Sequence, residues 1–372
     1  MSDSDSNLIK NKKLVIACGG TGGHLFPGIA VAEAWTQAGG DVLILISEKQ
    51  IDTLATEGYD HLRFERLPSI AMPKLLSLKM ISFGFKFLNG LRACRKLLKS
   101  FQADAVLGMG GFTSAAPLLA GKLAGLPTFV HESNAIPGRA NKLNAKFART
   151  VLVGFERCAK HFGEAKKTET VGTPLRPAVA EIPDAAVGRA HFGLDENRKT
   201  IMVMGGSQGA QRVNELVADA IKKLPLDKVQ VLHITGPSDF DATKPAFDAT
   251  PEAGKVIAFC SDIQFAYAAA DLAICRSGAS TLTELAHYGV PSILIPYPYA
   301  ADDHQTRNAE IFSDPGAAEM WTQNEIDEDN FADRLATLIL DEPRMAEMKT
   351  KMKALAIPDA SDRVCQVVAR EL

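Results

Sequence analysis

The chemistry in this chain is expected at turns that combine glycine with polar side chains. Gly19-Gly20-Thr21-Gly22-Gly23-His24 follows the apolar run Leu14-Val15-Ile16-Ala17-Cys18, and Gly205-Gly206-Ser207-Gln208-Gly209-Ala210 follows Thr200-Ile201-Met202-Val203-Met204. A glycine turn between strand and helix lets backbone N–H groups approach a phosphate or sugar, while the helix N-terminus adds partial positive charge. Neither turn completes Gly-x-Gly-x-x-Gly or contains the Gly-Lys-Ser/Thr of a nucleotide triphosphatase. Glycines placed only for a tight turn and close helix packing would look the same.

A third turn carries more. Leu272-Ala273-Ile274-Cys275 leads into Arg276-Ser277-Gly278-Ala279-Ser280-Thr281-Leu282-Thr283-Glu284. Phosphate oxygens would sit on the N–H groups at Ser280 to Leu282, and Glu284, one turn inside the helix, would accept two ribose hydroxyls. The competing reading is a helix capping box, Thr281-x-x-Glu284. After the strand expected at Ser292 to Pro296 comes a polar cluster, Asp302-Asp303-His304-Gln305-Thr306-Arg307-Asn308, where parallel sheets bind ligands. Its two aspartates are adjacent rather than alternating, a poor metal clamp. Gly108-Met109-Gly110-Gly111-Phe112 and His131-Glu132-Ser133-Asn134 should lie at the same sheet edge as His24. A histidine on a glycine loop beside a glutamate is a candidate general base, though a loop histidine can equally cap or hydrogen-bond.

These turns need strands and helices to hold them. Strand candidates at 14–18, 42–46, 105–107, 128–130 and 151–153 alternate with helical stretches, which predicts a doubly wound parallel sheet. The same grammar restarts at residue 200, so two Rossmann-like domains are expected, divided near Thr173-Pro174-Leu175-Arg176-Pro177, where two prolines oppose a continuous helix. The boundaries read 1–175 and 176–355. The helix expected at Ser361 to Arg370 has no domain assignment by pattern alone.

The length of 372 residues suits two domains, and the 46% hydrophobic and 23% charged content excludes a mostly disordered chain. Six cysteines without a Cys-x-x-Cys pair suggest neither a disulfide framework nor a zinc ribbon, and the polar N-terminus lacks the pattern of a secretory signal, so a cytoplasmic location is expected. No run of ~18 uninterrupted apolar residues is present. The net charge of −3 conceals an asymmetry: residues 1–175 hold 22 Lys and Arg against 14 Asp and Glu, while the remainder holds 19 against 30. Between Lys74 and Lys99, Leu75, Leu76, Leu78, Met80, Ile81, Phe83, Phe85, Phe87 and Leu88 interleave with basic residues. Apolar and basic residues together suit an anionic membrane surface, although a helix packed on the sheet accounts for many of the same leucines.

With these blocks assembled in order, the chain from about Leu14 onward resembles the MurG family of peptidoglycan glycosyltransferases. The resemblance rests on Gly19–His24, Gly108–Gly111, His131–Asn134, Gly205–Ala210, Cys275–Gly278 with Glu284, and His304-Gln305 with Asn308. It implies a glycosyltransferase B fold, α/β with two Rossmann-like domains facing across a cleft. It also implies N-acetylglucosamine transfer from UDP-N-acetylglucosamine (UDP-GlcNAc) to the 4-hydroxyl of undecaprenyl-diphosphate-linked N-acetylmuramyl-pentapeptide, with inversion. The N-terminal domain would hold the acceptor and the membrane at its cytoplasmic face, the C-terminal domain would hold the donor, and a final helix at about 356–372 would cross back. By motif, Arg176 and Ser207 would contact the diphosphate; Ala279, Ser280, Thr281, Leu282 and Thr283 the uridine phosphate region; Glu284 the ribose; and Gln305 the sugar. Asn134 and the loop Thr21-Gly22-Gly23 would close over that sugar, Cys260 would border the uracil, and His24 or Glu132 would be the base. No metal, cofactor or nucleic acid is implied. The chain departs from the family at Phe112, where tyrosine is common, at Ser133 for glutamine and at Thr173 for asparagine.

Two rival enzymes remain at this point. A UDP-GlcNAc 2-epimerase shares the architecture and the donor but leaves 74–99 unexplained. A nicotinamide-dependent oxidoreductase would use Gly19–Gly23 and Glu48 but leaves the second glycine turn and the Glu284 block unexplained.

Overall fold

The computed structural model describes residues 3–19, 22–48, 58–67, 79–205 and 210–372. Its chain forms two compact units, one of Met1–Pro177 with Ile357–Leu372 and one of Ala178–Ala356. In the first, the strands are β1 Lys13–Ala17, β2 Asp41–Ser47, β3 Phe64–Leu67, β4 Ala105–Gly108, β5 Thr128–Glu132, β6 Thr150–Val153 and β7 Thr168–Thr170. They pair in parallel in the order β3-β2-β1-β4-β5-β6-β7. The central strands are buried on both faces, so their sequences are continuous apolar runs rather than alternating ones.

One face of this sheet packs Leu14, Ile16 and Leu107 against the helix Gly22–Gln37 through Leu25, Ile29 and Trp35. The last helix, Ala360–Ala369, completes the same layer with Val364, Val367 and Val368. Its tail is anchored where Glu371 accepts from Thr150 Oγ1 at 2.8 Å and Lys167 Nζ at 2.5 Å. On the other face, Cys94, Leu98 and Phe101 of the helix Lys79–Phe101 cover Val15, Leu43 and Val106.

In the second unit, β8 Lys199–Met204, β9 Val229–Ile234, β10 Gly254–Ile257, β11 Leu272–Cys275, β12 Ser292–Leu294 and β13 Ala318–Met320 form a parallel sheet in the order β10-β9-β8-β11-β12-β13. Parallel strands require crossovers, and the helix between β8 and β9 buries Val213, Leu216 and Val217 against Ile201, Val203 and Ile274, where Phe331, Leu335 and Ile339 of the helix that follows β13 join the same core. In both units the loops that carry polar side chains leave the carboxyl ends of the strands.

Candidate active site

In the first unit, β1 and the helix Gly22–Gln37 place His24 on the first helical turn. Its imidazole lies on the loop after β4. A Cβ at Gly110 would come within 3.0 Å of the ring, and one at Gly111 within 3.4 Å of its other edge. Both residues hold positive φ (111° and 70°), a conformation that L side chains rarely adopt and that favours glycine at each, and at Gly110 the close imidazole adds a tight contact for any side chain. Hydroxyls join this loop to the β1 turn: Ser114 Oγ donates to Gly110 O (2.8 Å) and lies 3.1 Å from Ala17 O, and Thr113 Oγ1 donates to Gly19 O (3.1 Å). Asn144 Nδ2 adds a bond to Gly111 O at 2.9 Å.

Glu132, at the end of β5, is 3% exposed. Its Oε1 accepts from the backbone N–H and the Nδ2 of Asn134, both at 2.9 Å, and its Oε2 accepts from Gly138 N (3.1 Å) and Asn141 Nδ2 (2.9 Å). Four donors surround the carboxylate, which therefore orders the segment 134–141 that carries the half-buried Asn134. His131 beside it is fully buried, and burial pushes its pKa down, favouring the neutral ring whose Nε2–H donates to Gly172 O at 2.8 Å. Arg176 belongs to this unit too, with its guanidinium 5.5 Å from the Phe26 ring. Gly22 and Gly23 begin the helix of His24, whereas Thr21 and Ser207 lie outside the described residues.

In the second unit the loops after β11 and β12 are tied together. Arg276 Nη1 donates to Ile295 O (3.0 Å) and Pro296 O (3.1 Å), its Nη2 donates to Gln323 Oε1 (2.9 Å), and its burial lowers its pKa. Ser277 Oγ donates to Gln305 O at 2.7 Å, Asn308 Nδ2 to Ser277 O at 3.1 Å, and Tyr297 N to Gln305 Oε1 at 2.9 Å. Gln305 thus spans both loops. It follows a strained turn in which Asp302 and Asp303 take left-handed φ of 53° and 54°, and Asp303 Oδ1 accepts from Thr306 Oγ1 at 2.6 Å.

The helix Ala279–Tyr288 starts after Gly278 with no side-chain cap, so Thr281 is its third residue and not its cap. Glu284 is the sixth residue of the helix; its Oε2 accepts from Tyr267 Oη at 2.6 Å, and it is 3% exposed. The capping-box reading therefore fails. Leu282 also needs correction: its N–H donates to Gly278 O at 3.0 Å and its side chain is buried, so the outward-pointing N–H groups are those of Ala279, Ser280 and Thr281. Thr283 Oγ1 donates to Ala279 O at 2.9 Å inside the helix. Cys260 follows β10 and is half-buried, next to Phe259 at 68% exposure. Sequence reasoning missed Tyr267 and Gln323. Tyr267 sits in the apolar helix Ile263–Ala269, where a tyrosine reads as packing, and no motif marks Gln323.

The segment between Lys74 and Lys99 divides. Residues 74–78 lie outside the described residues, and from Cys94 on the helix packs on the sheet. Phe83 and Phe87 rest on Phe112, with ring centroids 5.5 and 6.1 Å away, while Phe85 (67%) and Leu88 (48%) face solvent. Among the described residues, no helix is long and apolar enough to cross a membrane.

Comparison with known proteins places these loops in a family. Residues 14–153 match the glycosyltransferase family 28 N-terminal domain, and residues 200–364 match the family 28 C-terminal domain. Two relatives named "UDP-N-acetylglucosamine--N-acetylmuramyl-(pentapeptide) pyrophosphoryl-undecaprenol N-acetylglucosamine transferase" come from Shewanella pealeana and Geobacter metallireducens. The first is 34% identical over 98% of this chain and 98% of its own length, the second 36% over 97% and 98%. The crystal structure of Acinetobacter baumannii MurG superposes with a TM-score of 0.77 at 29% identity, covering 97% of this chain and 99% of that one. A UDP-N-acetylglucosamine 2-epimerase shares the fold alone, at 13% identity and a TM-score of 0.64 over 95% of each chain. With both halves matched in order and relatives of one name similar along nearly the whole chain, the protein belongs to glycosyltransferase family 28 and, within it, to the MurG family of N-acetylglucosamine transferases.

Proposed function

We propose that this enzyme moves N-acetylglucosamine from UDP-GlcNAc to the 4-hydroxyl of undecaprenyl-diphosphate-linked N-acetylmuramyl-pentapeptide, with inversion at the sugar, in peptidoglycan synthesis. The observation that carries the reading is the 34% identity over 98% of the chain to transferases of that name. The donor is held mainly by the second unit. In the second, the N–H groups of Ala279, Ser280 and Thr281 and the helix behind them hold the diphosphate, Glu284 takes ribose hydroxyls and Gln305 the sugar. As the sugar–phosphate bond breaks, negative charge grows on the leaving UDP, and the helix N-terminus with Arg176 stabilises it. By motif, Asn134 and the Thr21–Gly23 loop are assigned to the sugar, and Ser207 to the phosphate.

In the first unit His24 is the base. The acceptor hydroxyl loses its proton to the imidazole as its oxygen attacks the anomeric carbon and UDP departs from the opposite face. Glu132 is assigned to loop support, because each of its oxygens already accepts two N–H donors. The solvent-facing Phe85 and Leu88, with Lys86 and Arg92 near them, rest on an anionic bilayer, which makes the enzyme peripheral at the cytoplasmic face of the membrane. The deciding assay supplies UDP-GlcNAc labelled in the sugar with a short-chain lipid acceptor and follows label into the lipid product. Label staying on the nucleotide while UDP-N-acetylmannosamine accumulates would replace the transferase with an epimerase.

A further inference from the structure

Glu284 is a buried carboxylate, and such a group needs donors to hold it. The 2.6 Å bond from Tyr267 Oη falls in the short range of hydroxyl-to-carboxylate bonds. Tyr267 is 1% exposed, and its ring packs on Tyr288, the last residue of the helix that carries Glu284, with centroids 5.2 Å apart. Tyr288 is itself anchored by its hydroxyl, which donates to Glu181 O at 3.0 Å. The phenol is thus fixed from behind and aimed at one carboxylate oxygen.

The type of donor matters. An arginine or lysine at position 267 would pair with the carboxylate through several charged N–H groups and compete with a neutral ligand hydroxyl. A phenol offers a single neutral donor, so it fixes the orientation of the carboxylate without bringing a positive charge to it. We propose that Tyr267 is a positioning residue that sets how strongly Glu284 reads the ribose hydroxyls of the donor nucleotide. The inference rests on the reading of Glu284 as the ribose acceptor.

Calorimetric titration with UDP, 2′-deoxy-UDP and 3′-deoxy-UDP tests both, using wild type, Tyr267→Phe, Tyr288→Phe and Glu284→Ala. In Tyr267→Phe, UDP should bind roughly tenfold more weakly, while the analogue lacking the hydroxyl read by Glu284 changes less than about twofold. Donor KM should rise with kcat and acceptor KM near wild type. Tyr288→Phe, which also deletes a buried phenol hydroxyl, should retain the preference for UDP. Equal weakening of UDP and its deoxy forms in Tyr267→Phe, or no change, overturns the inference, because a purely structural hydroxyl would act in that way. If Glu284→Ala loses the preference and Tyr267→Phe keeps it, the positioning role alone falls. If wild type and Glu284→Ala both bind the three nucleotides equally, the ribose reading falls and takes the inference with it.

Discussion

Replacing Glu132 by glutamine separates a loop-supporting carboxylate from a general base. In the native structure one oxygen serves Asn134 N and Nδ2, and the other serves Gly138 N and Asn141 Nδ2. Glutamine keeps a single carbonyl, which can satisfy one pair, and turns its NH2 toward the other pair, so two N–H groups lose their acceptor. Each orphaned donor costs ~1–3 kcal/mol, and the two surviving bonds weaken from charge-assisted to neutral. Gly138 is exposed and regains water, which leaves a net loss of about 2–4 kcal/mol confined to the segment 132–144. Because the chain has two units, a single global unfolding free energy is not well defined. Native-state hydrogen exchange read at the Asn134 and Gly138 amides is the suitable assay, and exchange should quicken roughly 30- to 1,000-fold. Turnover should fall through the loosened loop and recover partly at lower temperature. Unchanged protection together with a turnover loss of about 10²-fold or more at every temperature would refute the reasoning and make Glu132 the base.

The central strands of both sheets are legible because burial on both faces turns them into unbroken apolar runs, as at 14–18 and 272–275. β3, β7, β10 and β13 escape the sequence because they lie toward sheet edges and carry polar residues such as Glu65, Glu169, Lys255 and Glu319. β9 escapes for a different reason. It is wholly buried, yet Gln230 and His233 interrupt it, each bonded to a partner remote in sequence: Gln230 to Asp195, and His233 through its Nε2 to Asn214. The same split runs through the site. Glycine turns are visible because their composition is local, and the support of Glu132 by Asn134, Gly138 and Asn141 has a local trace. The bond from Tyr267 to Glu284 has none, since two helices from different crossovers create it. The capping-box pattern misleads because Ser and Thr at 280, 281 and 283 all mimic a cap, and only the backbone shows that the helix starts at Gly278.

His24→Ala should lower kcat by roughly 10²–10⁴ with UDP affinity within about twofold of wild type, measured by steady-state kinetics and calorimetry; a loss confined to substrate binding would reassign His24 to loop support. Glu284→Ala should weaken UDP by about 2–3 kcal/mol in calorimetry, and unchanged affinity in a folded variant would remove the ribose role. Phe85→Ser/Leu88→Ser should reduce sedimentation with anionic vesicles, and salt should weaken wild-type binding through its basic residues; these two side chains are chosen because Phe83 and Phe87 are engaged with Phe112. The last expectation concerns acid. Burial pushes His233 down to about 3 and also lowers His131, so both rings are neutral in the folded chain at pH 7. Folded pKa values below the unfolded value of about 6.5 mean that the unfolded chain binds the extra protons, so this stability is complete above pH 6.5 and is lost as pH falls. For His233 the loss should approach ~1.4 kcal/mol per pH unit and continue down to about pH 3. Urea unfolding of the second unit between pH 5 and 7, where carboxylates contribute little, isolates it. His233→Gln, whose amide can still donate to Asn214 Oδ1, should flatten that slope, and an unaltered slope would show that the acid sensitivity arises elsewhere.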